Sequence, residues 1–360
     1  MTAYLDHAAT TPLRPQALEA MLPYLTEHFG NPSGSHAVSR RAKQAIEEAR
    51  DVVAAGLGCQ PAEVVFTGGG TEADNLAITG AARGGTVVCT DVEHHAVLHA
   101  VQALGGRAVP FDRLAGALDA GVTVVSVMLA NNEVGTIHDL GAVRALLPPG
   151  AVLHTDAVQA FPWLDVAALA AAAHLVSVSA HKFGGPKGVG ALVVRSGVQL
   201  QPILHGGGQE QERRSGTHNV AGIVGMAAAV QATVDERVAV VERVGRLRDR
   251  LADGLLAAVP GAVETGERAT KVAGNCHIRF PGIESEALLV LLDDAGVCAS
   301  AGSACASGAI EPSHVLTAMG IPRHEALSAV RFSLGTTTTD ADVDLALKIV
   351  PDAVARLREG

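Results

Sequence analysis

Lysine is scarce in this chain: only Lys43, Lys182, Lys187, Lys271 and Lys348 occur among 360 residues. Any chemistry that needs a reactive amine therefore has few candidates. Charged residues make up only 18% of the sequence, with a net charge of -10. That balance argues against a general nucleic-acid surface, because phosphate binding is driven by clustered Lys and Arg. Cysteine is equally sparse. Cys59, Cys89, Cys276, Cys298 and Cys305 are odd in number and form neither a CxxC pair nor a His/Cys metal-ligand spacing. No metal site is expected, and free thiols in a reducing compartment fit the pattern. No stretch approaches the roughly 18 consecutive apolar residues of a membrane span. The start, Met1-Thr-Ala-Tyr-Leu-Asp-His, lacks the charged and apolar regions of a secretory signal. A soluble, cytoplasmic protein without a membrane partner is the expectation.

What is present is apolar and evenly distributed. Hydrophobic residues account for 48% of the chain, and its 40 glycines and 16 prolines are not massed in one tract, a composition that folds rather than stays disordered. The length suits one large domain plus a smaller one, or two comparable domains. Short β-rich runs at 64–66, 86–89, 122–127, 151–154, 175–179 and 190–194 alternate with helical stretches, which predicts an α/β sheet that is mostly parallel. A Gly-rich segment, His205-Gly-Gly-Gly-Gln-Glu, precedes a long apolar-periodic stretch from about Val220 to Val259, read as a connecting helix in one or two pieces. The remainder reads as a smaller α+β unit, with strands at 276–280 and 329–334 and helices at 284–294 and from Asp340. The alanine-rich run Ala167 to Ala173 reads as a helix surface.

Ligands collect at the carboxyl ends of strands in such sheets, so the residues there carry the functional reading. Lys182 stands just past the 175–179 strand in Ser179-Ala-His-Lys-Phe-Gly-Gly-Pro-Lys-Gly. A partly buried lysine becomes nucleophilic and can form the Schiff base that pyridoxal phosphate (PLP) chemistry requires; Lys187, in the following turn, is its rival. Asp156, ending the strand one unit earlier, can hold a pyridinium nitrogen, or can merely cap the next helix. Phe66-Thr-Gly-Gly-Gly-Thr-Glu-Ala-Asp-Asn is a Gly-rich turn entering a helix, so the N–H groups around Gly70 and Thr71 suit a phosphate. Ser179 and His181 can add donors, or can simply be polar residues at a strand terminus. His94 follows another strand and can stack on a ring or shuttle a proton. Asn132, after the next strand, and Gln159, on an expected helix start, offer amide bonds.

Cys305 lies among small residues in Ser300-Ala-Gly-Ser-Ala-Cys-Ala-Ser-Gly-Ala, a loop able to carry its thiol to a substrate and then outward, or else an inert loop cysteine. Arg331 can pair bidentately with a substrate carboxylate, or form a structural ion pair.

Taken in order, these residues resemble the cysteine desulfurases, the class-V aminotransferase relatives that serve nitrogen fixation and housekeeping iron-sulfur assembly. The match runs nearly end to end. It includes Tyr4-Leu-Asp-His-Ala-Ala-Thr-Thr-Pro12, Gly30-Asn-Pro-Ser, the Lys182 segment, Gly206-Gly-Gly-Gln-Glu, Arg214-Ser-Gly-Thr-His-Asn and Ser303-Ala-Cys-Ala-Ser-Gly, followed by Pro312-Ser-His-Val-Leu. Several such motifs in sequence are far more specific than any one.

The resemblance implies a PLP-dependent transferase of fold type I, usually a homodimer. Its large PLP domain, with a mostly parallel sheet of the seven-stranded type, is expected at residues 13–250. The smaller α+β domain, carrying the cysteine loop, is expected at 1–12 and 251–360. By the same resemblance Lys182 holds PLP, Asp156 and Gln159 contact its ring, His94 stacks on it, and Asn132 lies near the ring oxygen. Gly70, Thr71, Ser179 and His181 bind the phosphate, with Thr217 reaching it from a partner subunit. Asn31 and Arg331 hold the carboxylate of L-cysteine, and Cys305 accepts its sulfur for delivery to a protein acceptor, an iron-sulfur scaffold or a thiolation protein. Three features depart from the family pattern. His138 stands where glutamine is common, Thr336-Thr-Thr-Thr stands where many relatives carry a basic or aromatic residue, and the chain stops at Gly360 without the tail of housekeeping relatives. Two other readings share the frame. One is a different PLP enzyme, an aminotransferase or a selenocysteine or cysteine lyase; the other is a catalytically silent partner in sulfur transfer.

Overall fold

The runs that define the sheet are rich in valine, and β-branched side chains pack well on a pleated surface. In the computed structural model, which describes residues 2–301 and 311–359, twelve strands form: β1 (Ala3–Tyr4), β2 (Val64–Thr67), β3 (Thr86–Thr90), β4 (Arg107–Val109), β5 (Val122–Ser126), β6 (Val152–Asp156), β7 (Leu175–Ser179), β8 (Gly190–Val194), β9 (Val263–Glu264), β10 (Asn275–Arg279), β11 (Val297–Cys298) and β12 (Ala329–Ser333). Strands β2 to β8 make one seven-stranded sheet in the order β2-β8-β7-β6-β5-β3-β4. Only β8 runs against its neighbours. Every residue of β7 and β8 is buried, as expected of interior strands covered on both faces, where hydrophobic runs are continuous rather than alternating.

Two compact units are present. The first comprises Thr11–Leu129 and His138–Glu236 and contains the large sheet. Its core joins Leu76, Ala77 and Ile78 of the helix Gly70–Ala82 to Val87 and Cys89 of β3, Val124 of β5, Leu175 of β7 and Leu192 and Val194 of β8. Because β2, β3, β5, β6 and β7 share one direction, their carboxyl ends lie along one edge. The second unit comprises Met1–Thr10, Ala130–Ile137 and Arg237–Gly360. It holds the antiparallel sheet β12-β10-β9, the parallel pair β1-β11, and the helices Ser285–Asp294 and Asp340–Glu359.

Three local expectations are revised. The connecting stretch is one continuous helix, Val220–Ala258. The alanine-rich run is helical only over Val166–Leu169; beyond it the chain turns to let His174 N–H bond to Leu153 O at 2.9 Å. Residues 157–160 form a turn instead of a helix start, so Gln159 sits in that turn.

The Gly-rich segment ends in strain. Glu210, Gln211 and Glu212 have φ of 51°, 57° and 63°, a left-handed run that non-glycine residues adopt at a cost of about 1 kcal/mol or more each. Glu210 is held from three sides. Its carboxylate accepts both Nη groups of Arg50 at 2.8 and 2.9 Å, the Phe66 N–H at 2.9 Å, and a bond from His218 Nε2 at 2.7 Å. Burial would raise its pKa, but these bonds outweigh burial and hold it at about 2. The carboxylate's stabilisation is therefore present above its ordinary value of 4.5 and is lost as pH falls from there through about 2. With the side chains of Arg50 and Glu210 only 10% and 1% exposed, Glu210→Gln is expected to cost about 3 kcal/mol in urea unfolding at neutral pH. The variant's stability should also fall less than that of the wild type between pH 4.5 and 2.

Candidate active site

Lys182 lies in a short turn, Ala180–Lys182, directly after β7. It is half-buried, whereas its rival Lys187 is exposed. The turn is strapped by the segment Thr11 to Arg14. Thr11 donates through its N–H and its hydroxyl to His181 O at 3.0 and 2.8 Å, and Arg14 Nε donates to Phe183 O at 3.1 Å. Gly184 accepts the Arg14 N–H at 2.8 Å and has φ of 85°; a Cβ there would lie 2.4 Å from Arg14 Cγ. The lysine backbone is thus fixed from a segment 170 residues earlier in the chain. His181 is held neutral, its pKa lowered to about 4 by burial and then by the charges of Lys182 and Lys187.

On the neighbouring strand, Asp156 is buried and pairs in register with Ser177 of β7. One carboxylate oxygen accepts the Val158 N–H at 2.8 Å, so the residue does make the local turn bond of its alternative reading. Burial, and then the proximity of Asp74, push its pKa up to about 6, while His94 acts in the opposite sense. Polar atoms of Asp74, His94 and Asp156 all lie within 4.8 Å of one another. His94 is exposed and precedes the helix His95–Ala103, where its Nδ1 accepts the Ala96 N–H at 3.1 Å.

Gly70 and Thr71 open the helix Gly70–Ala82, and the preceding Gly69 has φ of 144°, a conformation closed to other residues. The turn packs against the end of β7: a Cβ on Gly70 would lie 3.4 Å from Ser179 Cβ and 3.0 Å from Val158 Cγ2. A side chain on Gly190 of β8 would meet the Gly69 backbone at 2.9 Å. The helix start and Ser179 therefore stand side by side, a cradle of backbone N–H groups and a hydroxyl suited to an anion. Gln159 is half-buried in its turn, Thr217 is exposed, and Asn31 is exposed with its Oδ1 accepting the Ser33 N–H at 3.0 Å.

The second unit contains Asn132 and Arg331. Arg331, on β12, is 4% exposed. Its Nη1 donates to Asn132 O at 2.8 Å and its Nη2 to Asp6 Oδ1 at 3.0 Å, and among the described residues Nε and Asn132 Oδ1 have no hydrogen bond. Glu133 is anchored on this unit by Ser313 Oγ, and Asn275 Nδ2 donates to its carbonyl at 2.7 Å. Cys305 lies outside the described residues. His138, which departs from the family pattern, bonds Met128 O through Nδ1 at 2.9 Å and packs on Phe111 with ring centroids 4.9 Å apart.

Four participants were not singled out from the sequence: Asp6, Thr11, Asp74 and His154. Asp74 had a legible signal. It is an acidic residue on a helical face otherwise formed by Ala73, Leu76, Ala77 and Ile78, where an unpaired charge is costly. Thr11 carried no comparable signal, because its bonds depend on a loop far along the chain.

These groups fit PLP at both ends. The glycine turn with Ser179 and neutral His181 suits the phosphate. The two buried carboxylates repel each other when both are ionised, an arrangement that favours a cation beside them, and a pyridinium supplies one.

The comparisons agree with that geometry. The aminotransferase class-V family matches residues 3–346. The chain is 45% identical over 382 residues to an IscS-like cysteine desulfurase of Mycobacterium tuberculosis, covering 99% of this chain and 97% of that protein. It is 42% identical over 374 residues to the cysteine desulfurase IscS of Methanosarcina thermophila, covering 99% and 92%. Among solved structures, a NifS-like protein superposes with a TM-score of 0.92 at 34% identity, covering 99% of this chain and 100% of the other. The chain belongs to the class-V aminotransferase family and, within it, to the PLP-dependent cysteine desulfurases.

Proposed function

We infer that the chain takes sulfur from L-cysteine, releases L-alanine and holds the sulfur as a persulfide on Cys305 for transfer to a protein acceptor. The observation that carries the reading is the set of groups at adjacent strand ends: Lys182 after β7, Asp156 ending β6, and the Gly70 helix start packed against Ser179. When bound, PLP supplies an electron sink that acidifies the substrate's α-carbon. In this assignment Lys182 Nζ holds the cofactor and then moves the α-proton. Asp156 keeps the ring nitrogen protonated, His94 and Gln159 lie against the ring, and Asn132 bonds its oxygen. Gly70, Thr71, Ser179 and His181 hold the phosphate, completed by Thr217 of a second copy in a homodimer. Neutral His181 binds as a donor without adding charge. Arg331 and Asn31 hold the substrate carboxylate.

Sulfur transfer balances without an external oxidant. The Cys305 thiolate attacks the substrate sulfur, the bond from that sulfur to the β-carbon breaks, and its electron pair leaves with the carbon fragment. After protonation the products are alanine and a persulfide. The acceptor is an iron-sulfur scaffold or a thiolation protein, placing the enzyme in the cytoplasm.

The test is to incubate the PLP-loaded protein with L-cysteine, quantify alanine, and map bound sulfur by mass spectrometry. Alanine equal to persulfide sulfur in a single turnover, located on the peptide containing Cys305, is the expected result. Alanine with only free sulfide, and no protein-bound sulfur, would identify a lyase. Conversion of a keto acid to an amino acid would identify an aminotransferase.

A further inference from the structure

The reaction leaves a buried carboxyl group unused. Asp74 is 1% exposed and Asp156 is 7% exposed, and their carboxylate oxygens lie within 4.8 Å of one another. Two imidazoles stand against Asp74: His94, with a ring nitrogen within 4.8 Å of it, and His154, whose Nε2 stands 3.5 Å from Asp74 Oδ1. His154 is itself enclosed, with Ser126 Oγ 2.8 Å from its Nδ1 and Ser177 Oγ 2.9 Å from its Nε2. Burial lowers its pKa to about 4, so it supplies no positive charge near neutrality.

We propose that Asp74 is a positioning residue that holds a proton beside Asp156, so that the pair presents one negative charge, carried by Asp156, to the pyridinium of the bound cofactor. The inference rests on Asp156 facing that nitrogen. Two ionised carboxylates against one cation would leave a net buried charge, and close buried carboxylates resolve this by sharing a proton. Asymmetry of surroundings selects its holder. Asp156 has a backbone N–H bond from Val158 and the favourable influence of His94, both of which stabilise its anion. Asp74 has the hydroxyl of Ser177 in place of a backbone N–H, and among the described residues its Oδ1 makes no hydrogen bond. Burial accordingly raises the Asp74 pKa further, to about 7, against a smaller opposing effect of Ser177.

Among the described residues, the titratable groups of β3, the segment after it and the helix His95–Ala103 do not supply a further counter-charge. Cys89 on β3 is kept protonated by burial, and Glu93 is pushed well upward by burial, then further by Asp156 and Asp74. His95 and His99 occupy the exposed face of their helix.

Infrared spectra of the PLP-loaded protein at about pH 6, where exposed carboxyls are ionised, test the assignment. Buried Glu93 contributes a protonated-acid band of its own, so each variant is read as a difference from the wild type: Asp74→Asn should remove carbonyl intensity, and Asp156→Asn should remove none. Equilibrium dissociation of PLP gives a second readout. Asp74→Asn, an uncharged isostere, should change the dissociation constant less than about threefold, whereas Asp156→Asn should raise it by about tenfold or more.

A wild type without the band, or a band lost in Asp156→Asn but kept in Asp74→Asn, would overturn the proposal. So would Asp74→Asn weakening PLP as much as Asp156→Asn does. If Asp74→Asn does not fold, Asp74→Ser gives the same comparison, and a band lost in neither aspartate variant would overturn the proposal. Unchanged PLP affinity in Asp156→Asn would instead refute the placement of Asp156 at the ring nitrogen, which the infrared result does not depend on.

Discussion

Lys182→Ala yields a folded, colourless protein that does not retain PLP through dialysis and whose desulfuration is reduced by about 10^4-fold or more. The assignment gives Nζ two tasks, covalent attachment of the cofactor and transfer of the α-proton, and a positioned acid-base group alone contributes roughly 10^2 to 10^4-fold. The fold should survive because the turn is tied by backbone bonds that do not use the lysine side chain. Thr11 bonds His181 O, and Gly184 N–H donates to Thr11 Oγ1 at 2.8 Å. Absorbance in the visible range, circular dichroism and alanine release together check the prediction. A yellow, active Lys182→Ala protein would transfer the role to another amine, and Lys187 is the one that the same turn presents.

Arg331→Leu lowers kcat/KM for L-cysteine by about 10^2-fold, equivalent to about 2.7 kcal/mol, and acts mainly on KM. The guanidinium is buried and oriented by Asn132 O and Asp6 Oδ1, so its fork is fixed before substrate arrives. Nε has no hydrogen bond among the described residues, which leaves donor capacity for a carboxylate. Arg331→Lys should recover only part of the loss, because an ammonium keeps charge but not the planar pair of donors. Steady-state kinetics over a range of cysteine concentrations separates the two parameters. An unchanged KM in both variants, with lowered stability, would show that Arg331 serves the Asp6 ion pair alone.

Lys182 and Asp156 stand out in the linear chain, and the reason is local. A lysine in Ser179-Ala-His-Lys-Phe-Gly-Gly-Pro and an aspartate at the end of a valine-rich run are recognised from neighbours a few positions away. Strand positions were legible in the same way. The predicted 175–179 and 190–194 runs coincide with β7 and β8, whose burial on both faces demands continuous apolar sequence. The edge strand β4 was not legible. Its Arg107-Ala-Val is short and partly exposed, and pairing with β3 makes it a strand.

Periodicity, glycine turns and the order of motifs were enough to place this chain among α/β PLP enzymes and to propose a lysine, a carboxylate and a phosphate turn for its site. Each of those signals is written within about one element's length. Partners far apart in sequence had to wait for the tertiary structure. Asp74 and Asp156 become neighbours because the helix Gly70–Ala82 packs over β6 and β7, Thr11 reaches the Lys182 turn across 170 residues, and Arg50 clamps a strained Glu210 from 160 residues away. The charge state of such groups depends on burial and on the distance to the next charge, and both arise only when register and packing bring the elements together.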